Sequence, residues 1–347
     1  MSLRASTATA AVVAVLSACV WVVLSLGLTA APASAGEESE LLTMRDDRIT
    51  ESSGLVASLQ HPGVYWTHND SGDQPRLFAV GSDGETKAVL TLQGVTPRDW
   101  EALALGRGAN DTTALFIGDI GDNQNSWPEV WIYRVPEPAQ LGDATVEPVR
   151  YRVTYADGPR NAEALLIDPR RNKLYIATKE DDGGLYEQPA KLTTSGVNIF
   201  TRVAAAPGTV TDGAFAPDGS RFVLRGYLGA TMFSAPGQVV GEVPTPLQLQ
   251  GESVAFTPDG GALLFGSEGS HSSVRRVVLE GANRPDSVVA REAAASQPVT
   301  KGAGDQEGDS GRPKTTAYGP GFLAVFLMVL TVYGYLKFRR RSKSRSE

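Results

Sequence analysis

The sequence is poor in the residues that most often build covalent and metal chemistry. It has one cysteine, Cys19, and three histidines among 347 residues. A lone cysteine excludes an intramolecular disulfide and a zinc site built from several cysteines. A Gly-x-Ser-x-Gly turn, a His-Glu-x-x-His pair and a phosphate-binding glycine loop are also missing. The sequence therefore shows no nucleophile paired with a base.

Charged residues are scarce as well, at 20 %, and aromatic residues make up 7 %. Glycine (37) and proline (21) are frequent, which is typical of a turn-rich β protein. The net charge is −7, but residues 337–347 carry six Lys or Arg and one Glu, so they contribute +5 and leave −12 for the rest. An acidic body of this kind does not suit nucleic-acid binding, and we expect no nucleic-acid partner.

Residues 1–35 have the pattern of a secretory signal peptide. Arg4 gives a basic start, a long apolar run follows, and Ala33-Ser34-Ala35 matches a cleavage site. The length of the apolar run leaves an uncleaved anchor open as an alternative. The segment Leu16-Ser-Ala-Cys19 leaves lipidation of Cys19 open, although the residues after it stay apolar.

The opposite end of the sequence predicts a membrane anchor. Residues 318–338 form a mostly apolar run of about the length that spans a bilayer. The basic tail, residues 339–347, predicts that this side is cytoplasmic. Residues 292–317 have the composition of a disordered linker. We therefore predict a single-pass protein of the cell membrane, with residues 36–291 outside the cell and a short tail inside.

Between these ends the sequence contains a degenerate repeat. Each copy begins with an acid, or a substitute, before a short run of small and apolar residues, and the runs start at Ser53, Glu101, Glu163, Asp212 and Glu252. Turn residues and a second apolar strand follow each run, and further strands complete most copies. The copies are about 40–60 residues apart, a spacing typical of propeller blades.

A four-stranded antiparallel unit cannot cover both of its faces alone, whereas radial packing against two neighbours covers both. We therefore predict an all-β fold, a β-propeller of four-stranded antiparallel blades over residues 36–291, plus the C-terminal transmembrane helix. Five blades are favoured and six are possible. The last copy lacks an obvious fourth strand. Either residues 287–291 supply it, or residues 41–45 supply it and close the ring.

In such a meander the start of the first strand and the end of the second strand lie on one face, around the channel. Carboxylates that converge there with few cations repel one another, and a hard cation with oxygen ligands relieves the repulsion. The predicted ligands of a Ca²⁺ ion are Glu101, Asp119, Asn123 and Glu163. The alternative is structural, because acids at strand starts also accept backbone N–H bonds that join blades.

Four further residues on this face are candidates for ligand binding: His68, Asp70, Lys179 and Arg225. A histidine beside an aspartate has the chemistry of a general base, and the two cations suit an anionic group such as a phosphoester. Each prediction has a structural alternative. The histidine suits a turn in which it bonds to its neighbour, and the cations suit ion pairs with Glu180 and Glu163.

Five motifs resemble the blade motifs of secreted bacterial propellers: Glu51-Ser-Ser-Gly-Leu55, Asp99-Trp-Glu-Ala-Leu103, Gly118-Asp-Ile-Gly-Asp-Asn123, Asn161-Ala-Glu-Ala-Leu165 and Glu252-Ser-Val-Ala-Phe256. The groups that they resemble are the "esterase-like activity of phytase" family and the SdiA-regulated family, over roughly residues 48–290. Composition and anchor look actinobacterial, and bound calcium is similar to what related propeller hydrolases use. Two departures argue against a symmetric site. Ser53 replaces an acid, and the fourth copy is one residue shorter before its Pro-Asp-Gly turn.

Two functions fit these observations. The first is a cell-surface-anchored extracellular propeller whose polar, acidic channel mouth binds an unknown ligand or protein partner. The second is a calcium-dependent hydrolase of phosphoesters or esters that uses the same mouth. The absence of a nucleophile–base pair favours the binding protein.

Overall fold

The computed structural model of this protein describes residues 37–296. The predicted signal segment (1–35), transmembrane span (318–338) and tail (339–347) lie outside this part, so these three predictions stay predictions. Within residues 37–296, no helix is long and apolar enough to cross a membrane.

The described part is built almost entirely from strands, arranged as five four-stranded antiparallel meanders. The N-terminal strand is β1 (Glu38–Thr43). Meander 1 contains β2 (Ser52–Ala57), β3 (Val64–Asn69), β4 (Arg76–Gly81) and β5 (Thr86–Leu92). Meander 2 contains β6 (Trp100–Arg107), β7 (Thr113–Asp119), β8 (Val130–Pro136) and β10 (Val149–Tyr155). A short strand between these last two, β9 (Ala144–Val146), runs parallel to β5.

The other three meanders follow in chain order. Meander 3 contains β11 (Ala162–Asp168), β12 (Lys173–Thr178), β13 (Gly184–Glu187) and β14 (Val197–Ala205). Meander 4 contains β15 (Val210–Phe215), β16 (Phe222–Gly226), β17 (Ala230–Ala235) and β18 (Gln238–Val243). Meander 5 contains β19 (Gly251–Phe256), β20 (Ala262–Ser267) and β21 (Ser273–Val278), with β1 as its fourth strand. One α-helix, α1 (Asp286–Ala295), follows, and short 3-10 turns lie at Ala109–Asp111 and Gly281–Asn283.

The first strands of the meanders form the inner ring of the molecule. β2, β6, β11, β15 and β19 contact one another in a closed cycle. Each pair of neighbouring meanders encloses one apolar cluster. Strand β11 is buried along its whole length because it is covered on both faces, which explains its continuous apolar sequence. This all-β arrangement is consistent with a β-propeller.

The N-terminal strand completes meander 5. β1 pairs antiparallel with β21, and Glu38 lies opposite Val277. Leu42 is 5 % exposed and belongs to the cluster between meanders 5 and 1. The sequence left two alternatives for the fourth strand of meander 5, and closure by the N-terminal segment is confirmed. The alternative that residues 287–291 supply this strand is wrong, because they lie in α1. Helix α1 also extends into the predicted linker, which was to begin at residue 292.

Each innermost strand carries a β-bulge near its start. The pairing register with the second strand shifts between Trp100 and Ala102 in meander 2 and at the same place in the other four meanders. A bulge inserts a residue that lacks a paired partner and re-aims its side chain. The first residues of the five bulges are Ser53, Glu101, Glu163, Thr211 and Glu252.

The bulge corrects the alignment of the fourth copy. Its register shift lies between Val210 and Asp212, so Thr211, not Asp212, occupies the repeat position. Counted from Thr211, the fourth copy reaches Pro217 after as many residues as the fifth copy needs from Glu252 to Pro258. The shortening expected from the sequence therefore disappears.

Leu42→Ala should lower the free energy of unfolding by about 2–5 kcal/mol, because it removes a buried side chain from the strand that closes the ring. Urea unfolding followed by circular dichroism measures the change. Ser39→Ala, on an exposed position of the same strand, is the matched control and should change stability by less than about 0.5 kcal/mol. Equal effects of the two substitutions would contradict this closure.

Candidate metal centre

Three carboxylates from two neighbouring meanders converge at the channel mouth, the end formed by the starts of the innermost strands. Asp70 follows β3, Asp99 precedes β6, and Glu101 occupies the bulge of β6. One oxygen from each lies within 4.8 Å of the other two. We call these three residues the acidic cluster. The bulge brings Glu101 to the same place as the residues that flank the strands.

A third meander reaches the acidic cluster through Glu163, which occupies the bulge of β11. The Glu163 carboxylate forms an ion pair with Lys179, whose Nζ lies 2.9 Å from Oε1. The Lys179 ammonium also lies 5.2 Å from the centre of the Tyr227 ring, on meander 4. Among the described residues, these contacts place one cation beside four carboxylates.

Gly121 allows the backbone of the next loop to approach the acidic cluster. A Cβ atom at this position would lie 2.5 Å from Asp99 Oδ2 and would also collide with Glu101 Oε1. Asn123 in the same loop donates a hydrogen bond from Nδ2 to Asp99 Oδ2 at 3.0 Å, and its Oδ1 accepts one from Asn161. The loop after β7 therefore covers the carboxylates and places the Asn123 amide group beside Asp99.

Burial and mutual repulsion raise the pKa values of this cluster. For Asp70, burial and then the neighbouring Asp99 and Glu163 carboxylates raise the pKa to about 8. Burial and the nearby Glu163 raise the pKa of Glu101 well above its usual value. Burial also raises the pKa of Asp99, although hydrogen bonds from Asp70 and Asn123 oppose this. Without a cation, the cluster thus holds protons at neutral pH.

Two further acids extend the negative charge across the mouth. Burial and the nearby Glu268 carboxylate raise the pKa of Glu252 to about 7. Burial raises the pKa of Glu268 as well. Burial favours a lower pKa for the Lys179 ammonium, but Glu163 and Tyr227 outweigh burial and raise it. Lys179 therefore stays charged and balances only part of the negative charge.

Of the predicted metal ligands, Glu101, Glu163 and Asn123 lie at this place, and Asp119 has another role. The Asp119 side chain is fully buried, and its Oδ1 accepts hydrogen bonds from the backbone N–H groups of Arg98 and Asp99. Its Oδ2 lies 3.8 Å from Arg98 Nε. Asp119 therefore holds the turn that positions Asp99, and we replace it in the ligand set by Asp70 and Asp99.

His68 does not face the mouth. It is fully buried, its Nδ1 lies 3.0 Å from the Asn69 carbonyl oxygen, and its ring packs edge-on against Trp100. Burial lowers its pKa to about 4. A neutral, enclosed imidazole cannot contact a ligand, which corrects the predicted ligand role and agrees with the alternative of a histidine bonded to its neighbour.

Arg225 is likewise enclosed, and it joins meanders 4 and 5. Its guanidinium donates hydrogen bonds to the carbonyl oxygens of Ser253 and Gly266 and to the Gln248 side chain. With 1 % exposure it has no access to a ligand, so this prediction is also corrected. Asp212 also joins meanders 4 and 5, because its Oδ2 accepts a hydrogen bond from the Val254 N–H at 2.8 Å. This agrees with the alternative, stated above, that acids at strand starts accept backbone N–H bonds between blades.

The other end of the channel is apolar. A cavity of about 150 Å³ lies there, lined by Leu103, Leu165, Phe215, Val254 and neighbouring residues of all five innermost strands. It contains no titratable side chain, so it is not part of the candidate centre. Within the channel, the titratable side chains therefore lie at the mouth.

The sequence matches no protein-family model and no curated protein. Among solved structures, XC5397 of Xanthomonas campestris, a gluconolactonase, is similar with a TM-score of 0.45 and 12 % identity, over 70 % of this chain and 90 % of that one. A glucose dehydrogenase is similar with a TM-score of 0.43 and 12 % identity, over 70 % of this chain and all of that one. Similarity at this level transfers no activity, and membership in the two families named above stays a prediction.

The stability of the calcium-free protein should fall between pH 6.5 and 8. An unfolded aspartate ionises near pH 3.8, whereas Asp70 in the folded chain ionises near 8. The folded chain therefore binds more protons over this interval, so rising pH favours unfolding. Glu252 acts in the same direction. His68 acts oppositely, but only below the pH of 6.5 at which an exposed histidine ionises.

Urea unfolding in EGTA at pH 6.5, 7.2 and 8 measures this trend. Asp70→Asn should flatten it, because an amide does not titrate, whereas Asp111→Asn on an exposed turn should not. A wild-type stability that rises over the interval would contradict the assignment.

Proposed function

We propose that the chain is a five-bladed propeller that binds Ca²⁺ at Asp70, Asp99 and Glu101, with Glu163 and the Asn123 oxygen completing the ligand set. The main observation that supports this proposal is that three carboxylate oxygens lie within 4.8 Å of one another in a partly buried place. Burial, and then repulsion between the carboxylates, disfavours the ionised cluster and raises the pKa of Asp70 and Glu101. A divalent cation replaces the protons and removes the repulsion.

A second observation, the shortage of hydrogen-bond donors to these carboxylates among residues 37–296, also supports a cation at this place. Asp70 Oδ1 is shielded from solvent and accepts no hydrogen bond from any of residues 37–296. Glu101 is 5 % exposed, and its carboxyl group hydrogen-bonds to another carboxyl group, that of Glu163. Buried carboxylate oxygens normally have donors or a metal. Within residues 37–296, the Asp99 carboxyl group has the Asn123 amide as a donor and shares a proton with Asp70.

The chemistry of these donors favours calcium over zinc. All are oxygens, and carboxylate and amide oxygens suit Ca²⁺, which accepts six to eight ligands in loose geometry. Zinc sites use cysteine or histidine nitrogen and sulfur, and the histidine nearest the mouth, His68, is enclosed behind Trp100. The different origins of the ligands, from three meanders, also suit a cation with flexible geometry.

We further propose that this protein is extracellular and anchored at the cell surface. Its mouth, with the bound cation, would hold a ligand or a protein partner. The membrane anchor and signal peptide of this proposal rest on the sequence of residues 318–338 and 1–35 alone. Lys179, half-buried beside Tyr227, supplies the positive group that an anionic part of the ligand would contact.

The second candidate function is a calcium-dependent hydrolase of esters or phosphoesters at the same mouth. It is favoured by Glu252, whose pKa of about 7 suits a general acid or base at neutral pH. A cation bound beside it would polarise a substrate oxygen. The binding function remains our first choice, because no side chain of the mouth has the arrangement of an activated nucleophile.

Calcium at 1 mM should raise the melting temperature of the full chain by a few degrees relative to EGTA. A dissociation constant of about 10 µM corresponds to about 2.7 kcal/mol at this concentration. Asp99→Asn and Glu101→Gln should each abolish most of the gain. Magnesium should give a smaller gain, because it requires a stricter octahedral geometry.

Glu268→Gln is the matched control, because it removes a carboxylate of the same mouth that lies outside the acidic cluster. It should keep the calcium-dependent gain. A wild-type melting curve that calcium does not move, or cluster variants that respond like the parent, would refute the metal centre.

A further inference from the structure

A second candidate site lies away from the mouth, between the outer edge of meander 1 and the face of meander 2. It is a cleft of about 570 Å³, a volume within the range of small-molecule sites. The connection from β5 to β6, strand β8 and the start of β10 form its walls. The residues that matter for the argument are Thr96, Arg98, Trp131, Tyr133, Glu147 and Arg150.

Arg98 is held in place by aromatic rings. Its guanidinium carbon lies 4.1 Å from the centre of the Trp127 ring and 3.7 Å from that of Trp131. Both terminal nitrogens also lie 3.3 Å from the Glu129 carbonyl oxygen. The Trp131 indole is itself fixed by a hydrogen bond of 2.9 Å to the Glu129 carboxylate. The cleft therefore has one rigid cation whose position costs little further entropy on binding.

Arg150 adds a second guanidinium to the same wall. Its guanidinium carbon lies 4.9 Å from the centre of the Trp131 ring. In the register of β8 and β10, Arg150 lies opposite Tyr133, so both side chains share one face of the sheet. No carboxylate of the described chain forms an ion pair with Arg150, whereas Arg152, opposite Trp131, pairs with Glu129 at 2.6 Å.

The charge of this cleft contrasts with the rest of the molecule. Without its basic tail the chain has a net charge of −12, yet the cleft is lined by two guanidinium groups and one carboxylate, Glu147. A second carboxylate, the buried Asp119, lies behind Arg98, at 3.8 Å from its Nε. Guanidinium groups present several donors in a planar fork that matches carboxylate and phosphate oxygens. Thr96 and Gln93, two uncharged polar residues, also line the cleft. An anion is the ligand that this combination fits.

We propose that this cleft binds a small organic molecule that carries an oxyanion, a carboxylate or a phosphate, with Arg98 and Arg150 as the residues that hold the oxyanion. The lining of this cleft includes none of the acidic cluster residues. Its anchor, Arg98, precedes Asp99 in the chain, so Arg150 is the residue that tests this cleft separately from the calcium centre.

Isothermal titration of the full chain with citrate and with pyrophosphate, at about 50 mM ionic strength and in EGTA, tests the proposal. Citrate probes carboxylate and pyrophosphate probes phosphate recognition. At least one should bind, and the affinity should fall as salt is added, because the contact is ionic. Arg150→Gln should weaken the binding about ten-fold or more, the typical cost of losing charged hydrogen bonds.

Arg152→Gln is the matched control, because this arginine lies two residues away on the same strand face and is already paired with Glu129. It should change the affinity less than about two-fold. The proposal is overturned if neither probe binds at millimolar concentration, or if Arg152→Gln weakens binding as much as Arg150→Gln does. Retention of calcium binding by Arg150→Gln would show that the two sites are separate.

Discussion

The β-bulge at the start of each innermost strand determines which side chains reach the axis of this molecule. In a regular strand, successive side chains point to opposite faces of the sheet, and here each face packs against a neighbouring meander. The bulge adds a residue and re-aims it. In meanders 2, 3 and 5 this residue is a glutamate, and in meanders 1 and 4 it is Ser53 or Thr211. The two hydroxyls bond to backbone carbonyls of the next meander, so among the five bulge residues only the glutamates bring charge to the axis.

As a consequence, several carboxylates lie close together at the mouth, and their mutual repulsion and burial destabilise the ionised form of the folded protein. Lys179 pairs with Glu163, and with Arg98 it also lowers the pKa of Asp99. Among residues 37–296, however, no cation forms an ion pair with Asp70, Asp99 or Glu101, and burial and neighbouring carboxylates raise the pKa of Asp70 and Glu101. Asp212 shows a different solution in the same fold, because each of its two carboxylate oxygens accepts a backbone N–H bond. The contrast between Asp212 and the mutually repelling acids at the mouth is typical of a binding site, where local stability is lost for function.

Much of the fold could be predicted from the sequence, because the signals were local. Continuous apolar runs recur in each copy, Pro-Asp-Gly turns recur in the fourth and fifth copies, and the missing last strand left closure by residues 41–45 as one of two alternatives. The side-chain directions could not be predicted in the same way. His68 and Arg225 occupy polar ends of strands, but only tertiary packing shows that both turn inwards. Asp99 was visible as an acid before a strand, yet its approach to Asp70 depends on two meanders meeting. That Thr211, and not Asp212, occupies the repeat position could be recognised only from the bulge in the strand pairing.

A crystal structure of the protein grown with 5 mM calcium, with anomalous scattering data, tests the central claim most directly. We expect one ion at about 2.3–2.6 Å from oxygens of Asp70, Asp99 and Glu101, the usual range for calcium. We also expect one oxygen of Glu163 to join the ion while Oε1 stays paired with Lys179. A mouth that holds water alone, with the carboxyl groups still hydrogen-bonded to one another, would contradict the account and leave the acids as a proton-sharing network.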